Sequence, residues 1–185
     1  MTTAVLFTLA VAPVYLLIRQ PFRRLPLHVD SGFYVSNHTI ATGRFRFSKG
    51  WNAHYAGCSK LLPEVFYSLV YLLHGRSDGA RSADGYKRNA RLYASLYNYA
   101  TAIAIGILAY YLSGGQLVFY FAGLATFALL SSEAHYGVFD ECAEWFELLF
   151  DVVAVTLLIV GLSRGEGWYV GSAAFVWALG TFFVK

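Results

Sequence analysis

Residues 92–132 read LYASLYNYATAIAIGILAYYLSGGQLVFYFAGLATFALLSS, without one Asp, Glu, Lys or Arg. The apolar residues are continuous rather than alternating, which predicts helix and not the dyad pattern of barrel strands. Ser113-Gly114-Gly115 interrupts the run near its middle, and paired glycines mark a turn. The halves Leu92–Leu112 and Leu117–Ser132 are therefore expected to fold back as a tight antiparallel pair. Ala100, Ala102, Ala104 and Gly106 are expected to let neighbouring helices approach closely. Each half approaches or exceeds the ~17–25 residues that cross about 30 Å of hydrocarbon as a helix.

Comparable uncharged runs lie on either side, at Thr2–Ile18, Val152–Ser163 and Trp168–Val184. Across 185 residues, 57% are hydrophobic, 18% aromatic and 14% charged, with mean hydropathy +0.50. A soluble domain carries roughly 25% charged residues, so this chain has too little polar side chain to cover a water-facing globule. The expected fold is all-α, a single membrane domain forming a polytopic transmembrane helix bundle. Spans are expected at about 2–19, 92–113, 117–132, 145–163 and 167–184, multi-pass in the plasma (inner) membrane. The first run has no preceding Lys or Arg, and Pro13 follows Ala10-Val11-Ala12, so it reads as a retained span and not a cleaved signal. Cys58 and Cys142 form no CxxC pair, which excludes the common redox and zinc motifs.

Charge organises the remainder. Residues 20–91 hold eleven Lys and Arg against four acids, a net +7, whereas Glu133–Glu147 holds five acids and no Lys or Arg, a net −5. The two regions can build one polar site only if they share a face of the bilayer. That depends on Leu61–His74, LLPEVFYSLVYLLH, whose fourteen residues include Pro63 and Glu64. Runs of this length more often lie at the interface. An interfacial helix within a long first loop, residues 20–91, gives five spans and one shared face. A crossing gives six spans and separates the two regions. The positive-inside bias is weak for loops of this length, and the five-span arrangement is preferred on the shortness of the run.

The stretch Leu27–Lys60 reads LHVDSGFYVSNHTIATGRFRFSKGWNAHYAGCSK. Asp30 is followed by Phe33-Tyr34, then by Ala41 and Gly43, and Lys60-Leu61-Leu62-Pro63 precedes Phe66-Tyr67. This layout resembles the first extracytoplasmic loop of GT-C glycosyltransferases of the family-39 type. That type includes protein O-mannosyltransferases and the aminoarabinose transferase that modifies lipid A. Cys142-Ala143-Glu144-Trp145-Phe146-Glu147 is similar to a second family pattern, a loop whose closing acid opens the next apolar helix. Ser31 departs from the family, which commonly has glutamate after the first acid.

The resemblance implies transfer of a sugar from a polyprenyl-phosphate carrier to an acceptor hydroxyl at the extracytoplasmic face. It implies Asp30 as general base, with Glu144 orienting Asp30, the acceptor or a metal ion. Lys60 and nearby arginines, Arg44 among them, are the implied contacts of the donor phosphate. No cofactor is assured, a divalent metal being one option, and the expected partners are the lipid-linked sugar and membrane lipids, with no nucleic acid. Family members generally have eleven or more spans, so these residues are expected to form the amino-terminal portion of a longer enzyme.

Each residue also has a purely structural role open to it. Asp30 suits the N-cap of a surface helix, Lys60 suits the headgroup level, and Glu144 and Glu147 suit a helix first turn. Asp151 lies deeper in an apolar run, where an acid is costly, and no role is assigned to it. His28, His38, His54 and His135 lack metal-ligand spacing. The rival reading is a small non-catalytic membrane protein, a lipid-binding or scaffold subunit. Single cysteines at positions 30 and 144, in a background without Cys58 and Cys142, are expected to react with the same impermeant reagent from outside. Labelling of one only after lysis would establish six spans.

Overall fold

The computed structural model describes residues 2–20, 44, 61–74, 83–130 and 143–184. These residues form six α-helices and no strand. In chain order they are α1 (Thr2–Arg19), α2 (Leu61–His74), α3 (Ala83–Leu112), α4 (Leu117–Ala125), α5 (Ala143–Arg164) and α6 (Gly167–Val184). A π-helical turn, Thr126–Leu130, continues α4. Among the described residues, two segments are long and apolar enough to cross a membrane, Thr2–Arg19 and Arg91–Leu112, and Leu117–Leu129 is a shorter apolar helix.

Glycine ends α3 and α5 for the same local reason. Past Leu112, Gly114 and Gly115 take φ of 70° and 92°, a region that L side chains rarely enter. The turn closes through Gly115 N–H to the Tyr110 carbonyl at 2.8 Å and Gly114 N–H to the Tyr111 carbonyl at 3.2 Å, the Schellman pattern. Ser113 Oγ then accepts the Gln116 N–H at 3.2 Å before α4 begins. At the end of α5, Gly165 has φ of 66° and Glu166 N–H reaches the Gly161 carbonyl at 3.1 Å. Both connections are short, so α3–α4 and α5–α6 are antiparallel hairpins.

Helix α3 begins at Ala83, nine residues before the apolar run. Lys87, Arg88 and Arg91 fall within this extension, and straight-chain charged residues do not stop a helix. Of the four small residues expected to admit a neighbour, Ala102 is fully buried and Gly106 is buried, whereas Ala100 is exposed and Ala104 half-buried. A period of 3.6 puts only positions 102 and 106 on one face with Tyr99. There α4 comes in close. A Cβ on Gly106 would lie 3.0 Å from the Tyr120 ring and carbonyl, and one on Gly123 would lie 3.4 Å from the Gly106 Cα.

Helix α1 lies against this hairpin through its stripe Val11, Tyr15 and Arg19. Phe7 meets Phe121 with ring centroids 4.6 Å apart, and Tyr15 meets Tyr99 at 5.2 Å. Thr8 bonds Tyr120, the residue that packs on Gly106. Seven residues further along α1, Tyr15 has reached Tyr99, seven residues back along α3. So α1 runs antiparallel to α3 and parallel to α4, and Arg19 and Arg91 come to the same end of the bundle. Helix α2 packs on α3, and α5 packs on α3 and α6.

Helix α6 offers two glycines in opposite settings. A Cβ at Gly180 would meet the Phe150 Cβ at 2.7 Å, while one at Gly171 meets nothing within 4 Å. Gly180→Ala is expected to destabilise the fold by about 1–3 kcal/mol through overpacking. Gly171→Ala should be neutral or stabilising by up to about 1 kcal/mol. Thermal unfolding in detergent micelles checks the pair, and equal effects would contradict the α5–α6 contact.

Candidate functional site

Among the described residues the buried polar and charged side chains are Arg19 on α1, Ser68 on α2, and Arg91, Ser95, Asn98 and Thr101 on α3. On α3, Arg91, Ser95 and Asn98 stand at i, i+4 and i+7 and are 3%, 3% and 2% exposed. Thr101, one turn on, is fully buried, with its hydroxyl 3.3 Å from the Tyr97 carbonyl. On α1, Arg19 is 4% exposed, and its guanidinium carbon lies 5.2 Å from the centroid of the Tyr15 ring. That spacing is a cation–π contact, which desolvation strengthens. Tyr15 faces Tyr99, and Arg19 follows one turn later on α1, with its guanidinium turned back over the Tyr15 ring. Toward the hairpin, the same face of α3 turns small and apolar at Ala102, Gly106 and Ala109. The two buried arginines thus lie toward the end where α3 begins, and the small residues of α3 lie toward the hairpin.

A hydroxyl clasp sets this register. Thr8 Oγ1 donates its single hydrogen to the Ala4 carbonyl at 2.8 Å. The 2.5 Å contact between Thr8 and Tyr120 then needs the tyrosine hydroxyl as donor. Tyr99 donates its own hydroxyl to the Thr8 carbonyl at 2.5 Å. The neighbouring Leu9 carbonyl sits four residues before Pro13, which has no N–H to give it. Two tyrosines from a different hairpin thus meet α1 beside a gap in its own ladder, a common use of polar side chains between apolar helices.

The residues implied by the family resemblance are differently placed. Asp30 and Lys60 lie outside the described residues. Arg44 lies in a bend and is exposed. Glu144 occupies the first turn of α5, and its side chain lies outside the description. Glu147 and Asp151, one and two turns along α5, are half-buried and engaged within the chain. Among the described residues, no group of three or more His, Cys, Asp or Glu is arranged to hold a metal ion. Sequence reasoning counted Arg91 only within the basic region 20–91 and did not single out Arg19. The signal for Arg91 was the i, i+4, i+7 spacing with Ser95 and Asn98, and nothing local distinguishes Arg19.

No family model, curated protein or solved structure matches this chain. The clasp is directly testable. In a Thr8→Val and Tyr120→Phe double-mutant cycle, the pair is expected to couple by about 0.6 kcal/mol, and by no more than about 1.7 kcal/mol. Thermal unfolding of the four proteins in micelles provides the measurement, and strictly additive effects would remove the clasp from the account.

Proposed function

We propose that this chain is a membrane domain of a glycosyltransferase that moves a sugar from a polyprenyl-phosphate carrier to an acceptor hydroxyl at the extracytoplasmic face. The membrane part of the reading is supported by the outer surface of the helices. Leu6, Leu9 and Leu17 on α1, Leu162 on α5 and Phe175 and Phe182 on α6 are all more than 60% exposed. In water this would be a large apolar patch. In hydrocarbon it carries no penalty, and helices satisfy their backbone groups internally.

The observation that carries the transfer reading is the direction of α1 against α3. Were Leu61–His74 a crossing helix, α1 and α3 would point the same way. They are antiparallel, so α1 ends and α3 begins at the same end of the bundle, where α4 also finishes. This supports the five-span arrangement, in which Asp30, Lys60 and the segment leading to Glu144 share one aqueous face. A general base, a cation for the donor phosphate and an orienting acid need that proximity. In the proposed step, the acceptor oxygen bonds to the anomeric carbon and its proton passes to the Asp30 carboxylate. The bond from that carbon to the phosphate oxygen breaks, and the lipid phosphate leaves with the electron pair.

Asp30→Asn is expected to lower turnover by about 10²–10⁴-fold while leaving donor affinity nearly unchanged. Lys60→Ala should weaken donor binding by about 10–150-fold, the equivalent of roughly 1.5–3 kcal/mol. Both are read by transfer of label from a polyprenyl-phosphate sugar in membranes containing the chain. If Asp30→Asn reduces only the amount of folded protein and specific activity persists, Asp30 is a helix cap and the catalytic assignment is wrong. Absence of both transfer and donor binding would leave the scaffold reading.

A further inference from the structure

The α5–α6 turn carries two opposite charges that, among the described residues, form no ion pair. Arg164 and Glu166 flank Gly165, and both are exposed. Arg164 Nη1 donates to the Tyr169 hydroxyl at 3.1 Å, with the guanidinium carbon 5.7 Å from the centroid of that ring. Glu166 Oε2 accepts the Trp168 indole N–H at 2.6 Å. The two rings stack on each other with centroids 3.6 Å apart. Each charge is thus held by one member of an aromatic pair rather than by its opposite. The pair itself is seated firmly, because a Cβ on Gly161 would come within 2.8 Å of the Tyr169 Cβ. Gly165, at φ of 66°, reverses the chain, and the Glu166 N–H closes the turn on the Gly161 carbonyl at 3.1 Å.

Both charged groups keep bonding capacity. A guanidinium has five N–H donors and a carboxylate has two oxygens, and these contacts use one of each. The apolar exterior of the hairpin reaches the turn from both helices, with Leu162 71% and Trp168 61% exposed. In a membrane, such a change from apolar to charged surface beside Trp and Tyr marks the headgroup level.

We propose that the α5–α6 turn binds the headgroup of an aminophospholipid, Arg164 taking the phosphate and Glu166 the primary ammonium. The planar guanidinium suits a phosphate. A headgroup with phosphate alone would meet the nearby Glu166 carboxylate as a like charge. A quaternary ammonium has no N–H to give to a carboxylate oxygen. A phosphate joined by a short linker to a primary ammonium satisfies both residues. The proposal rests on the membrane part of the reading above and is independent of sugar transfer.

The test follows thermal unfolding of the full chain in detergent micelles with four probes. These are dioctanoyl phosphatidylethanolamine, the phosphatidylcholine and phosphatidylglycerol with the same chains, and soluble glycerophosphoethanolamine. The ethanolamine lipid is expected to raise the unfolding temperature saturably and at the lowest concentration. Arg164→Gln should weaken its apparent affinity by about 3–10-fold. Glu166→Gln should weaken it by a similar factor while leaving the glycerol lipid's affinity unchanged or higher, which a general loss of stability would not do. Both side chains are exposed, so neither change is expected to prevent folding. Equal response to the three lipids would overturn the headgroup selectivity, and equal response to glycerophosphoethanolamine would overturn the lipid character. Unchanged ethanolamine-lipid affinity in either variant would overturn the assignment of that residue. No response to any probe, in a chain that stays in membranes through a carbonate wash, would discard this site and keep the membrane reading. Release of the chain by carbonate would overturn the membrane reading, and the site with it.

Discussion

Tyr99 meets α1 twice, placing its ring beside Tyr15 and giving its hydroxyl to the Thr8 carbonyl. Tyr120 adds a second hydroxyl to the same threonine from α4. Between apolar helices there is little hydrophobic preference for one sliding position over another, because lipid tails are as apolar as leucine. A hydroxyl with one acceptor in reach does have a preferred position, since the alternative leaves it unsatisfied. The clasp therefore decides how far α1 travels along α3, and so where α1 ends. Arg19 ends α1 on the side where α3 begins because Tyr15, one turn earlier, is held at Tyr99.

The close helix contacts serve the same register from the dry end. Gly106 and Gly123 let α3 and α4 approach until backbone meets backbone, and the Tyr120 ring fills the space above Gly106. With α4 pressed this close, Tyr120 can reach Thr8, and α1 is drawn into the groove of the hairpin. Packing at one end and charge at the other are thus parts of one arrangement. The small residues bring α3 and α4 together, and α1 packs on the hairpin with its C-terminal end at the end where α3 begins.

Some of this was legible in the sequence, for local reasons. The turn at Gly114-Gly115 was readable because positive φ is a demand on single residues, and only glycine meets it cheaply. The all-helical class was readable because long uncharged runs exclude alternation. The start of α3 was not, since charge marks the boundary with water and says little about where helix begins. The π-helical turn at Thr126–Leu130 had no sequence signal either. Alanine, leucine and phenylalanine accept α or π geometry alike, and contacts with α1 and α3 at that level accompany the change.

By itself, the sequence determined that long apolar segments are helical, that the chain turns at Gly114-Gly115, and that charge is confined to a few regions. Those properties follow from side-chain hydrophobicity and backbone preference, both of which act over a few residues. Only the tertiary structure decided that α1 opposes α3, and that Arg19 and Arg91, seventy-two positions apart in the chain, share one end of the bundle. Helix direction and sliding register depend on contacts between residues remote in sequence, here Thr8 with Tyr120 and Tyr15 with Tyr99. No local pattern encodes such contacts, because every tyrosine in an apolar helix has the same hydroxyl to place until a neighbouring helix offers it an acceptor.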